Sequence, residues 1–276
     1  MFGMFASIFG ELLSFLYNFI GNYGASIILF SIIVKLILLP MSIKQQKSMK
    51  QANKMQEEMI KIQEKYGNDK EKINQEIIEL YKKTGTSPFS GCFISIIQFL
   101  LIISVFIMVK SPLTYVKKVD VNVIDKYKTE LKEKKGEEAN TAYPEIAILR
   151  EFGAENEQIY LNMDFLGIDL SAIPTDSNSD IRAWIIPILY VLTSIVSMKL
   201  TTNTQRNKNE KENEKNDENQ MAQMNKTMMY MVPIMSVSIA IIAPLGLALY
   251  WFMSNVLAIV ERLVVDKFQK QKEEVQ

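Results

Sequence analysis

The apolar run Tyr23–Met41, YGASIILFSIIVKLILLPM, constrains the chain more than any other feature. A helix rises about 1.5 Å per residue, so roughly 20 apolar residues cross the hydrocarbon of a bilayer, and this run is long enough. Lys35 lies inside it. An ammonium at that depth costs about 2.5–3.5 kcal/mol on the insertion scale, and more if it stays dry. A charge so placed is either used or reaches water.

The 276 residues are 48% hydrophobic. They gather into blocks separated by Lys/Glu/Asn-rich stretches, the pattern of a polytopic membrane protein rather than of a soluble core. Histidine is absent, which removes Ser-His-Asp and Cys-His catalysis and the commonest metal ligand. The single cysteine, Cys92, excludes an intrachain disulfide and a Cys-rich metal or cluster site. No GxxxxGK[ST] phosphate loop occurs. With 31 basic and 31 acidic residues, no net field points to nucleic acid. The chain reads as non-enzymatic, with no catalytic residue, cofactor or metal expected.

Five spans are expected, about 23–41, 90–109, 183–199, 228–243 and 246–265, within a core of residues 21–265. Pro187 and Pro233 interrupt two of them, which suggests tilt or a water-lined cavity. In residues 1–20, Ser7, Glu11, Ser14 and Asn18 recur every three or four positions with Phe, Leu and Ile opposite, so this segment reads as an amphipathic helix in the membrane interface. No basic residue precedes the first span, whereas Lys44, Lys47, Lys50 and Lys54 follow it. The positive-inside rule then puts the N-terminus outside, 42–88 inside, the loop 110–182 outside and the tail 266–276 inside.

Segment 42–88 carries Ala52, Met55, Met59, Ile62 and Tyr66 at helical seam spacing. Gly67-Asn68 breaks the pattern, and Ile73, Ile77, Leu80 and Tyr81 resume it. This predicts an antiparallel helical hairpin. The loop 110–182 is expected to hold short helices near 122–135 and 144–152. The loop 200–227 contains a low-complexity polar stretch, 201–220, too poor in apolar surface to order itself.

Polar residues fall in every span. Ser31 lies one turn before Lys35; Gln98, with Ser95, marks the second span; Thr193, Ser194 and Ser197 mark the third; Ser236 and Ser238 the fourth; Ser254 and Asn255 the fifth. Buried amides and ammoniums need partners or water, so these faces are expected to turn inward around a hydrated groove. Two bland readings stand beside this. The Lys35 stem can snorkel toward the interface near Pro40, and serine or threonine hydroxyls in membrane helices often bond only to their own backbone. Met228 and Met229 belong to a methionine cluster at the start of the fourth span, and with Met55 and Met59 they suit contact with varied apolar partners or ordinary lipid-facing packing.

In this order and spacing, LILLPMSIKQQKSMK after the first span, SPFSGCFISIIQF at the second and APLGLALYWFMSN opening the last resemble the YidC/Oxa/Alb membrane protein insertases, in their short bacterial form. The resemblance covers about residues 20–265. It implies an all-α protein with five transmembrane helices around a hydrophilic groove, in the bacterial plasma membrane. It also implies insertion of membrane proteins without nucleotide hydrolysis. The groove residues are then Lys35, Ser31, Gln98, Ser197 and Trp251, with Lys35 receiving the polar, often acidic, tail of the substrate. The implied partners are nascent membrane proteins and membrane lipids, with the ribosome and the Sec translocon as further candidates.

The chain departs from the family's pattern in places. Lys35 stands where the family usually has arginine, which keeps the charge but loses the planar fork. Ile94 and Leu100 replace common prolines, and Ser197 matches a position that often holds glutamine. The short neutral tail does not support tail-mediated ribosome docking. An ion or solute transporter using Lys35 as an anion site is the rival reading, with a non-inserting assembly factor behind it.

Overall fold

The computed structural model describes residues 2–67, 69–85, 90–136, 142–176, 180–206, 235 and 237–274. The described helices are α1 (Phe2–Ile20), α2 (Tyr23–Tyr66), α3 (Lys70–Thr84), α4 (Ser90–Lys110), α5 (Val121–Lys135), α6 (Pro144–Phe152), α7 (Ile185–Arg206) and α8 (Leu245–Glu274). Among the described residues, four segments are long and apolar enough to cross a membrane: Gly3–Ile20, Tyr23–Ser48, Ile181–Leu200 and Leu245–Val265. The protein is thus an all-α polytopic membrane protein. The expected second span falls on α4, whose side chains are described over Phe99–Lys110, an apolar stretch. Of the expected fourth span, only 235 and 237–242 are described as helical, and most of the loop 200–227 lies outside the described residues.

The chain forms two compact units, Met1–Lys35 with Ile103–Gln276, and Leu36–Ile102. In the first unit, α2 meets α8 through Phe30 and Tyr250, whose ring centroids are 6.4 Å apart, and through Lys35 and Glu261. Helix α7 meets α8 through Tyr190 and Trp251 at 5.9 Å, and one turn on through Ser194 and Asn255. In both pairs the residue numbers rise together, so α2, α7 and α8 run parallel. Parallel neighbours joined in sequence require a returning segment between them. In the chain, α4 lies between α2 and α7.

Helix α1 packs Phe9 edge-on against Phe30 and lays Gly10 against Tyr115 of the π-helical turn Leu113–Lys117, while Ala6 and Leu13 are buried. A Cβ at Gly10 would lie 2.7 Å from the Tyr115 carbonyl oxygen, so only glycine permits this approach. The expected polar face needs one correction. Ser7, Glu11 and Asn18 are exposed, but Ser14 is buried, because its small side chain suits a close helix contact. Ile8, Phe15 and Phe19 remain exposed, as a lipid-facing surface requires.

The loop 110–182 folds into a cap with its own core, in which Leu113, Ile124, Ile148, Ile159, Leu161 and Leu170 are buried. Its helices are α5 and α6. Asp120 caps α5 by accepting from the Asn122 N–H at 2.8 Å, and Pro144 opens α6 where its missing N–H costs nothing. Glu145 is buried on α6 and accepts from the Thr114 N–H at 2.9 Å and the Thr114 hydroxyl at 2.6 Å. Burial pushes its carboxyl up, against the opposing effect of those bonds.

The cap also contains an unanticipated hairpin, β1 (Asp164–Phe165) paired antiparallel with β2 (Ile168–Asp169). Leu166 and Gly167 turn it with φ of 54° and 78°. Both central residues at positive φ make a type I′ turn. Leu-Gly is not the Asn-Gly or Asp-Gly pair that would have announced it.

The second unit contains the expected helical hairpin. Gly67 ends α2 in the left-handed region at φ 54°, Asp69 caps α3 by accepting from the Lys72 N–H, and Gly85 closes α3 at φ 62°. Pro40 sits inside one continuous helix, so the span and the first arm of the hairpin are a single element. Loss of a single ladder bond is tolerated where the surrounding residues already hold the helix.

Candidate functional site

Lys35 lies about 18 Å along α2 from Tyr23, deep in the span. Its ammonium is 2.5 Å from a carboxylate oxygen of Glu261 on α8. The two side chains differ in access: that of Lys35 is 26% exposed and that of Glu261 only 4%. A lone charge at this depth is costly, and an opposite charge in contact removes most of that cost. Lys35 thus has a charged partner within the helices as well as the snorkelling route toward Pro40. Glu261 did not emerge from the sequence, because beside Arg262 near the end of an apolar block it reads as an interfacial charge. The signal that could have found it is its sign, opposite to that of the one charge inside the first span.

The remaining expected residues divide. Ser31 is buried one turn from Lys35, and its hydroxyl donates to the Ile27 carbonyl at 2.7 Å, spent on its own helix. Trp251 and Ser197 are half-buried on the α8–α7 pair, where Asn255 Nδ2 donates to Ser194 Oγ at 2.7 Å. Gln98 lies on α4 but outside the described side chains, and Met228 and Met229 lie outside the described residues. Met55 and Met59 sit on the hairpin seam, with the Thr84 hydroxyl 3.7 Å from the Met55 sulfur and the Tyr81 hydroxyl 3.8 Å from the Met59 sulfur. Among the described residues, no group of three or more His, Cys, Asp or Glu could hold a metal ion.

At the opposite end of α2 and α8, the cap is bonded onto the helices. Tyr23 N–H donates to Asn162 O at 3.0 Å, Leu245 N–H to Ala172 O at 2.9 Å and Gly246 N–H to Leu170 O at 2.9 Å. Asn22 Nδ2 donates to Asp164 O at 2.6 Å. Helix N-termini leave their first N–H groups without intrahelical partners, and the cap satisfies several of them here. Phe165 lies so close to Gly24 that a Cβ there would stand 2.5 Å from the ring. Residues 161–172 thus cover this end of the α2–α8 pair.

The family model of the 60Kd inner membrane protein matches residues 15–273. The chain belongs to this family. It is the YidC/Oxa/Alb family to which the sequence motifs point. A relative named membrane protein insertase YidC from Fusobacterium nucleatum is 28% identical over 261 residues, 93% of this chain and 94% of the relative. One of the same name from Citrifermentans bemidjiense is 26% identical over 96% of this chain but only 37% of its own length. Another from Nitratidesulfovibrio vulgaris is 42% identical over 35% of this chain and 18% of its own length. The chain thus spans far less than two thirds of these last two. The family and these relatives support a membrane protein insertase function, in a multi-pass protein of the cell membrane whose substrates are membrane proteins. The family is not an enzymatic one in general.

Proposed function

We propose that the chain inserts membrane proteins by accepting the polar tail of a substrate at Lys35 and releasing its apolar segment into lipid beside α7 and α8. The carrying observation is the partly exposed Lys35 side chain, whose ammonium is held within the span against a buried acid. A tail crossing bare hydrocarbon meets the full desolvation cost of its charges, and a fixed, hydrated opposite charge lowers that cost. The cap bonded to the ends of α2 and α8 supports a site that receives substrate from the other side. The lysines after the first span support that side as cytoplasmic, with the N-terminus outside and the C-terminus inside.

Release into lipid is driven by burial of about 0.8 kcal/mol per CH₂. The exposed Ile188, Leu192 and Ile195 on α7 and Val260 and Leu263 on α8 supply an apolar surface along which the segment leaves. Trp251, half-buried at the α7–α8 contact, lies on this route. The hairpin of α2 and α3 is the first contact for nascent chains on their way from the ribosome or translocon, and Gln98 is a groove candidate on sequence grounds.

In proteoliposomes, Lys35→Glu lowers insertion of a single-span substrate with an acidic outside tail by more than about tenfold, because it both removes the receiving charge and sets a second carboxylate beside Glu261, while Lys35→Arg retains it. Parent-like insertion by Lys35→Glu would refute the charge-reception reading.

A further inference from the structure

We propose that Glu261 is the resting counter-ion of Lys35 and sets how strongly the site prefers acidic tails. The inference rests on Lys35 as the tail-receiving charge. Without a partner, Lys35 would favour any carboxylate strongly and would leave an unpaired positive charge within the span when empty. With Glu261 at 2.5 Å the empty site is electrically balanced, so a neutral tail meets no unpaired charge. An acidic tail gains only the difference between its own contact and the one already made. The built-in acid therefore broadens the range of tails accepted and weakens the preference for acidic ones.

Two features of the pair make exchange feasible. Exposure is unequal, so an incoming carboxylate can approach the exposed side of Lys35 while Glu261 keeps its buried position. Lysine also presents three N–H donors around a compact charge, so Nζ can accept a substrate carboxylate before it releases Glu261. An arginine fork engaged bidentately by one carboxylate offers less room for a second. The lysine at position 35 and the acid at 261 thus form one device: a charge that is always paired and still open to trade.

The test measures insertion of two substrates that differ only in tail, one neutral and one acidic, and reads the acidic-to-neutral ratio. Glu261→Gln is expected to raise that ratio roughly tenfold, and Glu261→Asp to keep the parental value. An unchanged ratio in Glu261→Gln, with a ratio in Lys35→Gln that falls toward one, overturns the role of Glu261 and leaves the reception reading standing. A ratio unmoved by Lys35→Gln refutes the reception reading, and this inference with it. Because Glu261→Gln leaves Lys35 unpaired and its folding at risk, the double variant Lys35→Gln/Glu261→Gln is compared with Lys35→Gln alone. Removing Glu261 there takes away the acid beside position 35 and is expected to favour acidic tails again; equal ratios in the two overturn the proposal.

Discussion

The cap and the hairpin are both built from short amphipathic helices, yet they bury very different things. In the cap, Ile148 and Ile159 are wholly inaccessible, a carboxylate is enclosed with its bonds made, and the backbone is tied to two helix N-termini. In the hairpin, α3 has no fully buried residue, Ile78 is exposed, and the seam from Met55 to Tyr81 is half-buried throughout. Local stability follows buried apolar contact, so the cap should open only with the whole unit and the hairpin far more readily. A seal needs the first property. A surface that meets changing apolar segments needs the second.

The sharpest break of this comparison is a matched pair of truncations. Ile148→Ala in the cap should cost about 2–5 kcal/mol and Ile77→Ala in the hairpin about 1 kcal/mol, because only the first leaves an enclosed cavity. Hydrogen exchange resolved to α6 and α3 reads both, and equal losses would erase the distinction. Next come two glycines. Gly24→Ala drives a methyl into Phe165 and should cost about 1–3 kcal/mol, seen as faster exchange across 161–172. Gly85→Ala meets open space and should cost about 1 kcal/mol, from its left-handed φ alone.

The smallest effect is electrostatic. The carboxyl of Glu145 is held above its usual 4.5 by burial, so its neutral form is favoured in the folded cap. Its stabilisation is fully present below that value and is lost as pH rises through the elevated one. The stability advantage of the parent over Glu145→Gln should therefore shrink between acidic and neutral pH, as followed by thermal unfolding in detergent. An advantage that grows with pH would contradict the sign.

Much of this was legible in the sequence because membrane spans and helical seams are local patterns. Lys35 stood out by depth alone, and the hairpin by spacing and a Gly-Asn break. The groove hydroxyls were less legible. Ser31 and Thr193 each had two uses open to them, and the structure gives both a bond to their own helix. Met55 and Met59 were legible as seam residues from their spacing, and the structure sets the Thr84 and Tyr81 hydroxyls against their sulfurs. The turn at Leu166-Gly167 carried too weak a composition to be seen.

What the sequence determined by itself is a set of apolar segments, their lengths, their charged flanks and one costly lysine, because each depends on residues near one another in the chain. Only the tertiary structure decided that α2, α7 and α8 run parallel beneath a folded cap, and that Lys35 is held by Glu261 from the far end of the chain. Periodicity says which face a residue occupies; packing alone says which other face it meets.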